Sequence, residues 1–579
     1  MSALTQQLAA VVERHPHAVA VADQHGERTY TQLWRDAARH ALDLHDAGWS
    51  GRPVLLALPP GVAWVTALLG AWRAGAAAVP LDLSHPDHRL AQIADRCGAA
   101  GTVTADGTAP RWAGSLPSLR PEGSAREGHP PGPVPDSAIA CIWHTSGSTG
   151  QPKPVALAHR ALAARAATMP AVAQVTAADT IAQLTSSAFD AVLWEVLCAL
   201  GTGARLQIAA QGERTPGPAL TGFLARHEIS AFTCTPTQLA ATPYADLPAL
   251  RLIVVGGEAV RTQPLTAWLE RYRVANAYGP TEACIEATVA LDLKPGQDPV
   301  PIGHPLPGVK AFILDADHHP VPAGHPGELH LGGDGLAEGY PGLPDATSAV
   351  FRTLDLPTGS GDALQRVYAT GDLVRALPDG QLTYLGRIDQ QLNLGGVRLE
   401  PGDVEAAALQ LPGLRAAALL AEIRPGRRPR LVLHIEPVHA GTGDDAELRT
   451  RLRRHLAAHL APAAVPALIT VHQRLPLTAT GKVDRQALAA TDPAPPAPPD
   501  CAQALPEPAA SWWQHWTGSA PSEDIDFFAA GGDSMGALAF LQQVNEHYGT
   551  DLPIGAFYPQ PTPAFLRAYL HQQQPPEEP

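Results

Sequence analysis

The chain has 579 residues, 45% hydrophobic and 17% charged, with 52 glycines, 58 prolines and a formal net charge of −15. That length exceeds what one core can serve and predicts two to four domains. The acidic balance, with no Lys/Arg-rich run to reverse it locally, excludes a nucleic-acid backbone as partner.

In chain order, "MSALTQQLAAVVERHPHAVAV" has neither a basic n-region nor a cleavage-like site, so no signal peptide is expected. The stretch "VLLALPPGVAWVTALLGAW" from Val54 to Trp72 is uncharged over a membrane-spanning length. Pro59, Pro60 and Gly61 cut it, however, into a short buried strand and a following helix of a globular sheet. Up to Asp389, apolar β-branched runs such as "SAFTCT", "RLIVVGG" and "VKAFILDAD" alternate with alanine-rich helical stretches, which predicts α/β layers. From Asp389 the texture becomes that of a small α+β unit: "LPGLRAAALLAEI", "RPRLVLHIEPV", then the helix "DAELRTRLRRHLAAHL". The proline-dense "TDPAPPAPPDCAQALPEPAA" reads as an extended linker, and the remainder as helical. The predicted boundaries are a core at 1–388, a small subdomain at 389–491, a linker at 492–509 and a terminal domain at 510–575. Cys97, Cys141, Cys198, Cys234, Cys284 and Cys501 are dispersed without a C-x-x-C pair. They read as reduced thiols of a cytoplasmic protein, not as a metal site.

Several short motifs carry chemistry. "HTSGSTGQPKPV" gathers hydroxyls and glycines in a loop ending at Lys153. Glycines admit an anion close to the backbone, hydroxyls donate, and the lysine supplies charge. It lacks the G-K step of a Walker loop. "ANAYGPTEA", "YATGDLVR" and "LGRIDQQLNLGGVRLE" follow in order. They offer an aromatic face at Tyr278, a carboxylate at Asp372 for sugar hydroxyls and Arg387 for phosphate or ribose. Each alone would pass for a turn.

Taken together these strings resemble the adenylation domain of a nonribosomal peptide synthetase, of the adenylate-forming superfamily, with a peptidyl carrier domain behind it. "RTYTQL", "RAGAAAVPLD", "HTSGSTGQPKP", "FDAVLWE", "NAYGPTE", "GELHLGGDGLAEGY", "YATGDLVR", "GRIDQQ", "LPLTATGKVDR" and "DFFAAGGDSM" occur in that family's order over essentially the whole length. The resemblance implies a large layered α/β core, a small mobile α+β subdomain and an all-α four-helix carrier. It implies that Thr145, Ser146, Gly147, Ser148, Thr149, Gly150 and Lys153 hold the outer phosphates of ATP. Tyr278 would stack on adenine, with Asn276, Ala277, Gly279, Gly256, Gly257 and Glu258 lining its edge. Thr281 would touch the α-phosphate, Glu282 help hold Mg²⁺, and Asp372 take the ribose hydroxyls beside Arg387. Lys482 resembles the catalytic lysine of the small subdomain, a point charge between two negative reactants. Asp389 resembles the hinge about which that subdomain turns. Four positions depart from the pattern: Pro154 stands where glycine is usual, Glu338 where arginine is common, and Asn393 and Gly395 where lysine and arginine are usual. The last two fall on the face expected to serve transfer to the carrier.

By the same resemblance the substrate pocket is Asp190, Ala191, Trp194, Thr233, Val254, Gly256, Ala277, Ile285 and Glu286, closed by Lys482. A buried carboxylate at Asp190 calls for a cationic partner and so for an α-amino acid. Small residues around Trp194 leave room for a bulky planar side chain. Glu286 would face it unpaired unless the side chain brings a donor. The expected order is tryptophan, then tyrosine or phenylalanine types, then a basic residue; alternatively Glu286 turns to pair with a neighbouring Arg or Lys. Gly532-Asp533-Ser534-Met535-Gly536 satisfies the hydrolase pattern G-x-S-x-G, but that elbow needs a strand before the serine and triad partners after it. The carrier signature instead implies that Ser534 receives 4′-phosphopantetheine at the start of a helix whose inner face is Met535, Leu538, Leu541 and Val544. The expected protein is a stand-alone didomain that uses ATP and Mg²⁺ to load an amino acid on its own arm. Its implied partners are a phosphopantetheinyl transferase, an MbtH-like activator and a downstream tailoring enzyme or synthetase module in trans, with no membrane. The rival is an acyl- or aryl-CoA ligase with a fused helical domain.

Overall fold

The structure is a computed structural model. It describes residues 1–121, 132–145, 152–358, 361–389, 391–394, 397–422, 430–438, 445–461, 464–477, 483–490, 505–523, 526–528, 530–532, 534–552, 554–558 and 560–573. The chain forms two compact units, one from most of Met1–Gln390 and the other built on Gln391–Pro579.

In the first unit, local sequence starts each early helix. Ser2 caps Ala3–Arg14 by accepting from the Thr5 amide. Thr29 and Gln32 form a reciprocal capping box at the start of Tyr30–Asp46, so two otherwise orphaned amides are satisfied. The uncharged stretch divides as its prolines require, into strand Pro53–Leu56 and helix Val62–Ala74. Trp64, Val65, Leu68, Leu69 and Trp72 of that helix are all buried in the main core, which accounts for its apolar sequence. Among the described residues no helix is long and apolar enough to cross a membrane.

Two sheets form this unit. The six-stranded one runs Ser118–Leu119, Gly101–Val103, Pro53–Leu56, Ala77–Pro80, Ile139–Thr145, Lys153–Ala158. Its last two strands are an antiparallel hairpin with Thr145 opposite Lys153. Pro154 sits inside that hairpin opposite His144. The larger sheet has 14 strands. At its centre Arg205–Ile208, Thr180–Gln183, Ala231–Cys234, Leu252–Gly256 and Arg273–Tyr278 lie side by side, all parallel. It continues antiparallel through Thr288–Ala290, Pro301–Pro305, Leu382–Arg387, Gly361–Ala376, Gly327–Gly333 and Val309–Leu314. A parallel strand pairs on both edges and carries helices on both faces, so side chains at its carboxyl end, where the chain leaves the sheet, are the ones free to face a ligand.

The second unit begins with an α+β fold. Strands Leu414–Glu422, Arg430–Pro437 and Leu468–Val471 make one sheet, with helices Pro401–Leu409 and Asp445–His459 packed in the same core. It ends in helices Ala509–Thr517, Ser534–Tyr548, Ile554–Phe557 and Pro563–Gln573 around Trp513, Phe527, Phe540 and Phe557. This is the expected α/β core followed by a helical carrier. Packing of the helical part starts earlier than the proline-rich composition suggests: Leu505 is 3% exposed within that cluster. One leucine among prolines carries no periodic signal, so composition alone passes over it.

Candidate active site

The predicted pocket residues come from different parts of the chain, and the parallel strands align them. Thr233 pairs with Val254 and Gly256 with Ala277 at the carboxyl ends of three neighbouring strands. Gly257 and Glu258 follow the second strand, and Gly279 to Glu286 follow the third. Asp190 and Ala191 precede helix Val192–Leu200, which carries Trp194.

Asp190 has the feature that an ammonium group needs. Its Oδ2 is buried with no hydrogen-bond partner. Burial pushes the carboxyl up to about 6; hydrogen bonding from Thr281 opposes the rise and the neighbouring Glu282 charge adds to it. Glu286 is 4% exposed and its Oε2 is likewise buried without a partner. Burial pushes it up to about 7, against the pull of the Arg165 charge and of hydrogen bonding from Trp194. Trp194 on the pocket side addresses it, Arg165 lies near it, and one oxygen stays open.

A second carboxylate lies just behind this wall. Glu195, fully buried, accepts from the Leu184 and Thr185 amides and from the Thr185 and Thr233 hydroxyls. Burial nevertheless pushes it up to about 7. It holds the Thr233 hydroxyl at 2.9 Å.

Of the residues expected to hold nucleotide, Tyr278, Asp372 and Arg387 come together. Asp372 accepts from the Tyr278 hydroxyl at 2.5 Å and from Arg387 Nη1 at 2.8 Å. Arg387 also grips both oxygens of Asp389 at 2.6 Å, so the predicted hinge residue is tied to the predicted ribose carboxylate through one guanidinium. Asn276 uses its amide on the Pro301 carbonyl at 2.8 Å, and Glu258 accepts from the Thr237 hydroxyl at 2.6 Å. Glu282 is fully buried and its Oε1 accepts from the Tyr340 hydroxyl at 2.6 Å. Lys153 Nζ lies 4.3 Å above the same Tyr340 ring. Among the described residues no group of three His, Cys, Asp or Glu could hold a metal. The single carboxylate of Glu282 suits Mg²⁺ that arrives with nucleotide phosphates as its other ligands.

Tyr340, Arg165 and Glu195 received no role from sequence. Tyr340 stands in the motif "GELHLGGDGLAEGY", but nothing local says that its hydroxyl reaches residue 282. The departing Glu338 is paired with Arg160 on the surface. Ser146, Gly147, Ser148, Thr149, Gly150, Gly395 and Lys482, and the side chain of Asn393, lie outside the described residues.

Ser534 opens the helix Ser534–Tyr548. Ala537, Phe540, Leu541 and Val544 form its buried side; the Met535 and Leu538 side chains lie outside the described residues. The described part of Asp526–Gly532 is turn, so the strand that a nucleophile elbow needs is absent there. Gly532 is required by packing, since a Cβ there would lie 2.2 Å from the Phe527 ring.

Comparison with known proteins agrees with this architecture. Residues 8–341 match the AMP-binding enzyme family and residues 511–570 match the phosphopantetheine attachment site. Novobiocin biosynthesis protein H of Streptomyces niveus is 35% identical, covering 82% of this chain and 80% of that protein. Phosphinothricin tripeptide synthetase PhsC of Streptomyces viridochromogenes is 34% identical over 95% of this chain. The chain spans 51% of that synthetase, and as little as 7% of much longer relatives. The structure of holo-PA1221, an NRPS protein containing adenylation and PCP domains bound to a vinylsulfonamide inhibitor, superposes with a TM-score of 0.79. It covers 98% of this chain and 96% of its own at 23% identity, a likeness of fold. The family matches thus define an adenylate-forming ligase that uses ATP with Mg²⁺ and has an attachment site for 4′-phosphopantetheine. The chain belongs to the AMP-binding enzyme family, as an adenylation–carrier didomain of the nonribosomal peptide synthetase type. Didomains of this type activate an amino acid and load it on the carrier.

Proposed function

We propose that the didomain activates a bulky α-amino acid, tryptophan first, then tyrosine or phenylalanine types, then a basic residue, with a side-chain hydrogen-bond donor favouring turnover. The observation that carries this is the pair of buried, unpartnered carboxylate oxygens, Asp190 Oδ2 and Glu286 Oε2. Asp190 would take the α-ammonium, for which a buried carboxylate is a strong partner. Glu286 would take the side-chain donor, because an apolar side chain would leave it buried and unmatched. Tyr278 would face the adenine, Asp372 hold the ribose hydroxyls, and Lys153 and the loop before it hold the outer phosphates. Glu282 would share the metal brought by the nucleotide. Lys482 would supply the positive charge that the reaction of a carboxylate with a phosphate needs. Ser534 would carry the arm, a phosphopantetheinyl transferase would install it, and a tailoring enzyme or synthetase module would receive the acyl group, with an MbtH-like protein as activator.

The test is amino-acid-dependent pyrophosphate release in the presence of hydroxylamine, run over the common amino acids. Tryptophan should give the highest turnover and phenylalanine less than tyrosine. Equal turnover of phenylalanine and tyrosine would remove the donor argument. CoA consumption with an aryl acid and silence with every amino acid would favour a CoA ligase.

A further inference from the structure

Arg165 lies on helix His159–Ala173 and is 1% exposed, a poor location for a guanidinium unless its protons are used. Its Nε donates to the Cys284 carbonyl at 3.1 Å and its Nη2 to the Ala283 carbonyl at 3.1 Å. Its Nη1 is buried without a partner. Space for the group exists because residue 335 is glycine; a Cβ there would stand 2.1 Å from Nη2.

The two carbonyls belong to an unusual turn. Cys284 has φ 59° and Ile285 has φ 72°, both in the left-handed region and neither a glycine. For a β-branched residue such as Ile285 that is a genuine outlier, which persists only when its surroundings enforce it. The Glu286 amide donates back to the Cys284 carbonyl at 2.9 Å, so that oxygen serves the turn and the guanidinium together. The turn itself carries Ile285 and leads directly into Glu286, both expected to line the pocket. The strain is therefore located where it directs Ile285 and Glu286.

We propose that Arg165 is a positioning residue that sets side-chain specificity: by holding the Ala283 and Cys284 carbonyls it keeps the strained turn that aims Ile285 and Glu286 at the substrate side chain. The proposal rests on the pocket reading above. Arg165 itself touches no reacting atom. Without it the turn relaxes toward ordinary dihedrals, Glu286 loses its fixed direction, and discrimination between side chains falls while nucleotide binding is unaffected.

The full chain is assayed by hydroxamate formation with Mg·ATP and L-tryptophan, L-tyrosine, L-phenylalanine and L-lysine as probes. Arg165→Gln should raise KM for the best probe about tenfold and pull the tyrosine-to-phenylalanine ratio of kcat/KM toward unity, with KM for ATP within about twofold. Arg165→Lys, which restores the charge and one donor, should recover part of the ratio. A lowered melting temperature with the wild-type KM and ratio would reduce Arg165 to a packing residue and overturn the proposal. Where Arg165→Gln does not fold, Cys284→Gly is added to relieve the strain. The double variant should fold yet still lack the wild-type ratio, and a restored ratio would overturn the proposal. If the wild-type protein turns over none of the common amino acids, the pocket reading itself falls, an outcome distinct from an insensitive Arg165 variant.

Discussion

Asp190 and Glu286 are both buried carboxyls with one open oxygen, and they differ in what should fill the opening. On the role proposed for Asp190, Asp190→Asn removes the charge that would meet the ammonium, so kcat/KM for any amino acid should fall by about a hundredfold or more while KM for ATP changes little, as steady-state kinetics would read. Glu286→Gln should narrow the difference between donor and apolar side chains. It also has a signature in stability. Glu286 is raised in the folded protein from 4.5 to about 7, so between those values the folded state holds the proton more tightly than the unfolded state. Its contribution is full below pH 4.5 and is lost as pH rises through 7. Glu286→Gln should therefore gain on the wild-type melting temperature above pH 7 and lose that advantage near pH 5. Tyr340→Phe keeps the ring beneath Lys153 but removes the hydroxyl from Glu282. KM for Mg·ATP should rise several-fold at limiting Mg²⁺, with the amino-acid KM nearly constant, because a carboxylate losing a charge-assisted bond of about 1.5–3 kcal/mol is less well placed.

At the scale of elements, the parallel strands do most of the assembly. Residues 233, 254, 256 and 277 come from strands separated by helices, yet the ladder register brings them to one edge. The linear pattern marks those strands as apolar runs without saying which are neighbours, since hydrophobic periodicity reports burial and not pairing. The carrier helix illustrates the opposite case, where local sequence suffices. Serine at its first position marks the start of Ser534–Tyr548; of the expected inner face Leu541 and Val544 are buried, Ala537 and Phe540 join them, and the Met535 and Leu538 side chains lie outside the described residues. The loop before it leaves no room at Gly532. Gly532→Ala should cost the carrier about 1–3 kcal/mol through collision with the Phe527 ring. Conversion to the phosphopantetheine form should then fall, while hydroxamate formation with free amino acid persists.

For the whole molecule, the decisive measurement is intact mass after incubation with CoA, a phosphopantetheinyl transferase, Mg·ATP and a pool of amino acids. A phosphopantetheine adduct bearing one further amino acid is expected, and Ser534→Ala should abolish both increments. The net charge of −15 and pI of about 5.9 fit small-molecule chemistry in a chain with no electrostatic reason to hold nucleic acid. The chain divides into two compact units, one from most of Met1–Gln390 and one built on Gln391–Pro579.

The sequence by itself determined the class of protein, because the motifs that mark the family are short contiguous strings whose chemistry is local. It also determined which helices start where, since caps and prolines act over three or four residues. Tertiary structure alone decided how those strings cooperate. Arg387 joining Asp372 to Asp389, Tyr340 reaching Glu282, Glu195 holding Thr233 and Arg165 clamping residues 283 and 284 are contacts whose partners come together only once the strands are ordered. Most of them cross long stretches of chain, and side-chain identity does not encode such distances. What a buried carboxylate lacks is likewise visible only after every other donor around it has been placed. That is why the open oxygens of Asp190 and Glu286 belong to the fold.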